Sequence, residues 1–189
     1  MKFNDVGTSR RQLLGAFAGV AVISAAPVYA SAAGFLRNAG DVRRISMNNK
    51  RTGESIDTIY WIEGKYITPA LNEISYFMRD WRRDEVIGYD RRNIDILAAS
   101  HRLMETTEPY TLLSGYRSPQ TNAMLRSSNG GVASNSYHMR GMAADVRLAS
   151  RSVSQMTAAG KACNSGGVGK YNRSNFVHMD CGPIRSWRG

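Results

Sequence analysis

The chain has 189 residues, 42% of them hydrophobic, and a formal charge of +10. That length holds one domain with a real core and one additional segment. So basic a chain raises nucleic acid as a partner, a class that the N-terminus argues against.

Lys2, Arg10 and Arg11 make a basic start, and residues 13–28 follow as an uncharged run dominated by Leu, Ala, Gly, Val and Ile. Val28-Tyr29-Ala30 and Ala30-Ser31-Ala32 both suit a signal peptidase. The apolar run is shorter and richer in Ala and Gly than the roughly 20 strongly apolar residues of a membrane span. Ser9-Arg10-Arg11-Gln12-Leu13-Leu14 carries the twin-arginine signature, an address for exporting folded proteins. Residues 1–30 therefore read as a removed twin-arginine-type signal, with an uncleaved anchor as the alternative. Residues 31–40 read as a flexible N-terminus and 41–189 as the working domain, outside the cytoplasm. Loss of the signal leaves a charge of +8. An exported basic protein meets wall carboxylates and anionic lipid headgroups before nucleic acid, and a plainly solvated basic surface is equally compatible. Cys163 and Cys181 are the two cysteines. An oxidising compartment favours their pairing as a disulfide, worth about 3 kcal/mol in the chain-entropy model. Two free thiols or a thiolate ligand stay open.

Residues 41–48 and 55–61 read as strands joined by a turn at Asn49–Glu54, with Gly53 as a turn residue. Thr68-Pro69 marks a helix start with the threonine as N-cap, and Leu71, Ile74, Phe77, Met78 and Trp81 recur on its buried face. Arg79, Arg82 and Arg83 then complement the end of the helix dipole. A second helix runs over about 93–106 with Ile94, Leu97 and Met104 on one face. His101 shares that face and reads as a half-buried structural histidine before it reads as a ligand. Tyr110–Leu113 is a short strand delivering Ser114-Gly115-Tyr116-Arg117, and Ser118-Pro119 opens a helix to about Arg126. Asn129-Gly130-Gly131 ends it, and a loop leads to His138.

Gly141 argues against a helix between His138 and Asp145. From Met142 the chain alternates, with Met142, Ala144, Val146 and Leu148 on the core side and Ala143, Asp145 and Arg147 opposite. Residues 168–171 and 176–180 flank a four-residue turn, and in the second strand Phe176, His178 and Asp180 share one face. His138, Asp145 and His178 can thus converge as nitrogen and oxygen ligands of a metal with one open position. Pattern alone leaves a metal site and a set of ordinary polar residues equally open.

Ser136-x-His138-x-x-Gly141-x-Ala143-x-Asp145 with a distant His178 resembles the zinc motif of the D-Ala-D-Ala metallopeptidases. Those belong to a wider group with the lysostaphin-type endopeptidases and the hedgehog domain. More narrowly, Asn49–Glu54, Asp80-Trp81-Arg82, Ser114–Asn122 and Phe176–Trp187 resemble exported YcbK-like murein endopeptidases of Gram-negative bacteria, a likeness spanning most of residues 41–187. The resemblance implies an α+β domain with a small, mainly antiparallel sheet flanked by helices. It implies zinc held by His138, Asp145 and His178, Arg117 stabilising the oxyanion, and Ser136 hydrogen-bonding the substrate. The dipeptidases in that group use a glutamate three residues before the last zinc histidine as general base, where this chain has Asn175, an amide that cannot take a proton. Asp180 is the substitute base by its strand face, or else an aspartate that orients His178. The reading is a periplasmic zinc peptidase cutting peptidoglycan cross-links, with carboxypeptidase action open and no nucleic-acid partner or lasting membrane insertion. The competing reading is a non-catalytic zinc domain that binds wall peptide or a protein.

Overall fold

The computed structural model describes residues 42–128 and 131–189. The leader read over residues 1–30 and the N-terminal stretch 31–40 lie outside them. The described strands are β1 (Val42–Asn48), β2 (Ser55–Ile62), β3 (Lys65–Tyr66), β4 (Tyr110–Ser114), β5 (Ala143–Arg147), β6 (Gly167–Tyr171), β7 (Phe176–Asp180) and β8 (Arg185–Arg188). The helices are α1 (Thr68–Phe77), α2 (Arg91–Leu103), α3 (Pro119–Ser128) and α4 (Val153–Ala162). The strands form one sheet in the order β3-β2-β1-β4-β5-β7-β6-β8. Most neighbours run antiparallel, but β1 with β4 and β6 with β8 run parallel, so the α+β fold carries a mixed sheet, larger than expected.

Period-two patterning explains the layers. Ile45 and Met47, Ala144 and Val146, and Val177 and Met179 point into a core completed by Ile74, Leu97 and Met156 from α1, α2 and α4. Those helices pack on the strands from one side, α1 on β2, α2 on β1 and β7, and α4 on β6 and β7. Ile74, Ile94 and Leu97 are wholly buried, each worth about 1.5–3 kcal/mol. The alternate residues of β5 and β7 face the other side of the sheet, which is where the polar cluster lies.

Helix ends depart from the sequence reading in detail. Ile67, not Thr68, is the N-cap of α1: its backbone is still extended, without a side-chain cap, and its N–H donates to Tyr60 O at 2.9 Å. The helix stops at Phe77, so Arg79, Arg82 and Arg83 lie beyond its last turn. Arg79 instead forms a two-pronged pair with Glu54, both N···O distances 3.0 Å, tying the β1–β2 turn to the end of α1. His101 is structural as expected, its Nε2 donating to Glu108 O at 2.7 Å and its ring packing edge-on to Tyr110. The expected Cys163–Cys181 disulfide is absent, and both are free thiols. Cys163 ends α4 with Sγ 3.3 Å from Ala159 O, while Cys181 follows β7 beside Asp90 at the start of α2. Burial pushes both thiols up to about 12, so neither offers a thiolate.

Two close contacts pin the loop after β4. A Cβ on Gly115 would sit 2.4 Å from Met78 O, because Tyr116 N donates to that same carbonyl at 2.7 Å. Gly115→Ala is expected to cost about 1–3 kcal/mol, read as a lowered Tm, since backbone must move. Asp80 is buried and accepts from Ser118 N at 2.9 Å, Ser118 Oγ at 2.7 Å and Arg82 N at 3.1 Å. Burial alone would raise its carboxyl, but hydrogen bonds from Thr121 and Ser118 outweigh it and hold the group below its ordinary value. Its contribution to stability is therefore full above the unfolded pKa of about 4 and is lost as pH falls through the lower folded value. Acid unfolding of Asp80→Asn compared with the parent checks this; the variant should be less stable near neutrality and lose less between neutrality and low pH.

Candidate metal centre

β5 and β7 pair so that Asp145 lies directly opposite His178 and Ala143 opposite Asp180, while β4 places Ser114 beside Asp145. His138 arrives from the preceding connection. There the structure has a 3-10 turn, Tyr137–Arg140, in place of a plain loop. Ser136 caps it by accepting from His138 N at 3.3 Å, and Gly141 closes it in the left-handed region at φ 62. A side chain on Gly141 would meet Ile87 Cδ1 at 3.1 Å as well as strain the backbone, so glycine is required twice over. The turn is bolted to the Gly115 loop, since Arg117 N donates to His138 O and His138 Nδ1 donates to Gly115 O at 2.7 Å.

His138, Asp145 and His178 are brought together, all buried. His138 Nε2 is 3.2 Å from both Asp145 Oδ1 and His178 Nδ1, and His178 Nδ1 is 2.9 Å from Asp145 Oδ1. The outer partners decide the tautomers. A carbonyl can only accept, so His138 Nδ1 carries the proton and its neutral ring turns a lone pair on Nε2 inward. Asp180 Oδ2, 2.9 Å from His178 Nε2, takes that N–H and leaves the neutral ring's Nδ1 lone pair facing the same point. Three lone pairs thus converge at separations near the edge of about 3.3 Å that a tetrahedron of zinc ligands has. The donor set, two imidazoles and one carboxylate, fits a zinc ion with a fourth position open.

The charges of His138 and Asp145 agree with that use, whereas those around His178 favour its protonated ring, whose Nδ1 proton a bound metal would displace. Burial pushes the His138 pKa down, keeping the ring neutral at pH 7. Burial would raise Asp145, but His138 and His178 outweigh it and hold the carboxyl well below its usual range. For His178 burial works downward and is outweighed by Asp145 and Asp180, which raise it.

Arg117 is also here. Its Nε donates to Ser114 Oγ at 2.7 Å and its Nη2 to Asp145 Oδ2, with His138 Nε2 at 3.2 Å. Ser136 lines the cleft, although its oxygen already serves the turn. Asp180 does not suit the role of general base. It is wholly buried on the far edge of the His178 ring, and its two oxygens accept from His178, Gly167 N, Gly182 N and both terminal nitrogens of Arg185. Burial would raise its carboxyl, but His178 and Arg185 outweigh it and hold it far below the ordinary value, so it stays a carboxylate that accepts the His178 N–H. Asn175 is exposed in the β6–β7 turn at φ 50, a conformation asparagine tolerates well.

Sequence reasoning missed the walls of the site. A cleft of about 1210 Å³ opens over the three ligands, and Asp145 is the one acidic side chain among its described lining residues. Lys50, Arg51, Arg82, Arg147 and Arg173 line it without an ion pair among the described residues. Trp187 on β8 packs against the His178 ring, centroids 5.2 Å apart, and Arg185 lies between Tyr137 and Trp187 while gripping Asp180. The signal was Arg185-Ser-Trp187, whose alternate residues share a face once β8 is known to be a strand.

Comparison with known proteins identifies the family. The family described as peptidoglycan L,D-endopeptidase MepK matches residues 37–187. The peptidoglycan L,D-endopeptidase MepK of Escherichia coli (strain K12) is 40% identical over 145 residues, covering 77% of this chain and 80% of that protein. The probable peptidoglycan L,D-endopeptidase MepK of Haemophilus influenzae is 34% identical over 148 residues, covering 78% and 80%. No solved structure matches the chain. A match of that extent, lying over every strand and helix that builds the cluster, makes this chain a member of the peptidoglycan L,D-endopeptidase MepK family.

Proposed function

We propose that this protein is a zinc-dependent endopeptidase that hydrolyses L,D peptide cross-links in bacterial peptidoglycan. The observation that carries the reading is the meeting of three lone pairs, on His138 Nε2, Asp145 Oδ1 and His178 Nδ1, at the floor of a cationic cleft. When bound there, zinc supplies a water that ionises near neutral pH and polarises the scissile carbonyl. The protein's own groups do the rest. Gly115 O and Asp180 fix the two imidazole protons on the outer edges, and Arg185 fixes Asp180. Arg117 is anchored through Nε and Nη2, while its Nη1 has no hydrogen bond among the described residues. That N–H pair can meet the substrate oxygen that gains negative charge as the peptide carbon becomes tetrahedral. Ser136 retains its hydroxyl hydrogen for a substrate acceptor.

The family likeness extends this reading to a hedgehog and D-Ala-D-Ala-peptidase-like fold. Action on peptidoglycan puts the protein in the periplasm, with Ser9–Leu14 as its twin-arginine address. Among the described residues no helix is long and apolar enough to cross a membrane. The test is digestion of purified sacculi with and without a chelator, with products identified by mass spectrometry. L,D cross-links should disappear only in the metal-replete sample. Loss of terminal residues with cross-links intact would mean carboxypeptidase action, and fragments that bind uncut would mean a binding domain.

A further inference from the structure

We propose that Arg51 and Arg82, both set over Trp81, form a subsite for a free carboxylate of the peptide substrate, beside the metal centre. The proposal rests on reading that centre as a peptidase site. Arg82 Cζ lies 4.3 Å from the Trp81 ring centroid and Arg51 Cζ 5.5 Å, and both arginines line the cleft that holds His138, Asp145 and His178.

Both arginines are held by built-in anchors. Residues 80–85 close on themselves through the Asp80↔Glu85 bridge. Asp80 then binds Arg82 N on one side and Ser118, next to Arg117, on the other. Arg82 is thereby fixed relative to the metal-side arginine. Arg51 N donates to Asn49 Oδ1 at 3.0 Å, and the Glu54–Arg79 pair fastens that same turn to the end of α1. The two arginines therefore extend from separate backbone segments that are each held in place, and both guanidinium groups lie over the one indole between them.

Nearby carboxylates are all committed elsewhere. Asp80 serves Ser118 and backbone, Glu54 and Asp84 serve Arg79, and Glu85 serves Arg83. Arg82 is left half-buried with Arg51 and Arg117 as like-charged neighbours; burial first, then Arg51 and Arg117, lower its pKa, and the Asp80 charge offsets them in part. An arriving anion would relieve that repulsion. A guanidinium lying on an indole face keeps its in-plane N–H edge free, the edge that takes a carboxylate in a two-pronged bond. A wall polymer rich in carboxylates can present one beside the bond to be cut. Asp80-Trp81-Arg82 and the Asn49–Glu54 turn, two stretches of the family likeness with no part in holding metal, acquire a use.

The test compares two synthetic L,D-cross-linked peptide dimers, one with free branch carboxylates and one with those carboxylates amidated. The parent, Arg82→Gln, Arg51→Gln and Arg82→Lys are each loaded with zinc, and zinc content and Tm are measured alongside. The parent should prefer the carboxylate dimer by about tenfold in kcat/KM, mainly through KM. Arg82→Gln should bring the ratio close to one, with Arg51→Gln intermediate, while each still binds one zinc. Arg82→Lys keeps a point charge without the flat two-pronged edge and should recover only part of the preference. A parent without preference, or a preference that survives both glutamine variants, overturns the subsite. If neither dimer is cut, the peptidase reading has failed, and calorimetric binding of the same two dimers still decides the subsite by the same ratio.

Discussion

His178→Ala should lose at least about a thousandfold in cross-link hydrolysis and fail to retain zinc through dialysis. The size follows from what the site contributes, a nucleophile that ionises near neutrality and carbonyl polarisation worth several kcal/mol. His178 stands where β7 pairs with Asp145 on β5, and its ring is held by Asp180 and covered by Trp187. Removing it leaves Asp145 and His138 facing each other without a third donor. Its backbone pairing is untouched by the substitution, so circular dichroism should be that of the parent. Parent-level hydrolysis by the variant would remove His178 from the site.

Asp180→Asn separates two roles that the sequence left open. The geometry makes Asp180 the group that holds the His178 Nε2 proton and is itself held by Arg185 and two backbone N–H groups. The amide brings hydrogens where five donors already point, so one or more of those bonds is lost, at about 1–3 kcal/mol of stability. Zinc affinity should fall about 10–100-fold, and hydrolysis should return as zinc concentration is raised. A general base would behave otherwise, leaving zinc bound at its normal affinity while turnover vanished at every zinc concentration. The second pattern would reinstate Asp180 as the base.

Much of the centre was legible from strand period alone. Asp145 and His178 lie on the faces that alternation assigns them, and they turn out to be direct register partners, which no single-strand pattern specifies. Gly141 correctly barred a helix, yet the tight turn that presents His138 depends on Ser136 and on contact with Ile87, a residue remote in sequence. Asp180 shared the predicted face with His178, but a face says nothing of which edge of an imidazole a neighbour takes. That was settled by Arg185, which comes back from β8. Likewise the paired-cysteine argument rested on compartment and loop length, and neither carries the packing that sets Cys163 and Cys181 against different parts of α2. The basic cleft was visible only as net charge, because its arginines come from the β1–β2 turn, the segment after α1, the loop after β4, β5, the β6–β7 turn and β8.

The most direct measurement is a zinc titration of the metal-free protein, with hydrolysis of sacculus cross-links followed at each step. Activity should rise linearly and saturate at about one zinc per chain, the stoichiometry of a single site built from His138, Asp145 and His178. Full hydrolysis by the thoroughly metal-free protein, or saturation unchanged when those residues are replaced, would contradict it.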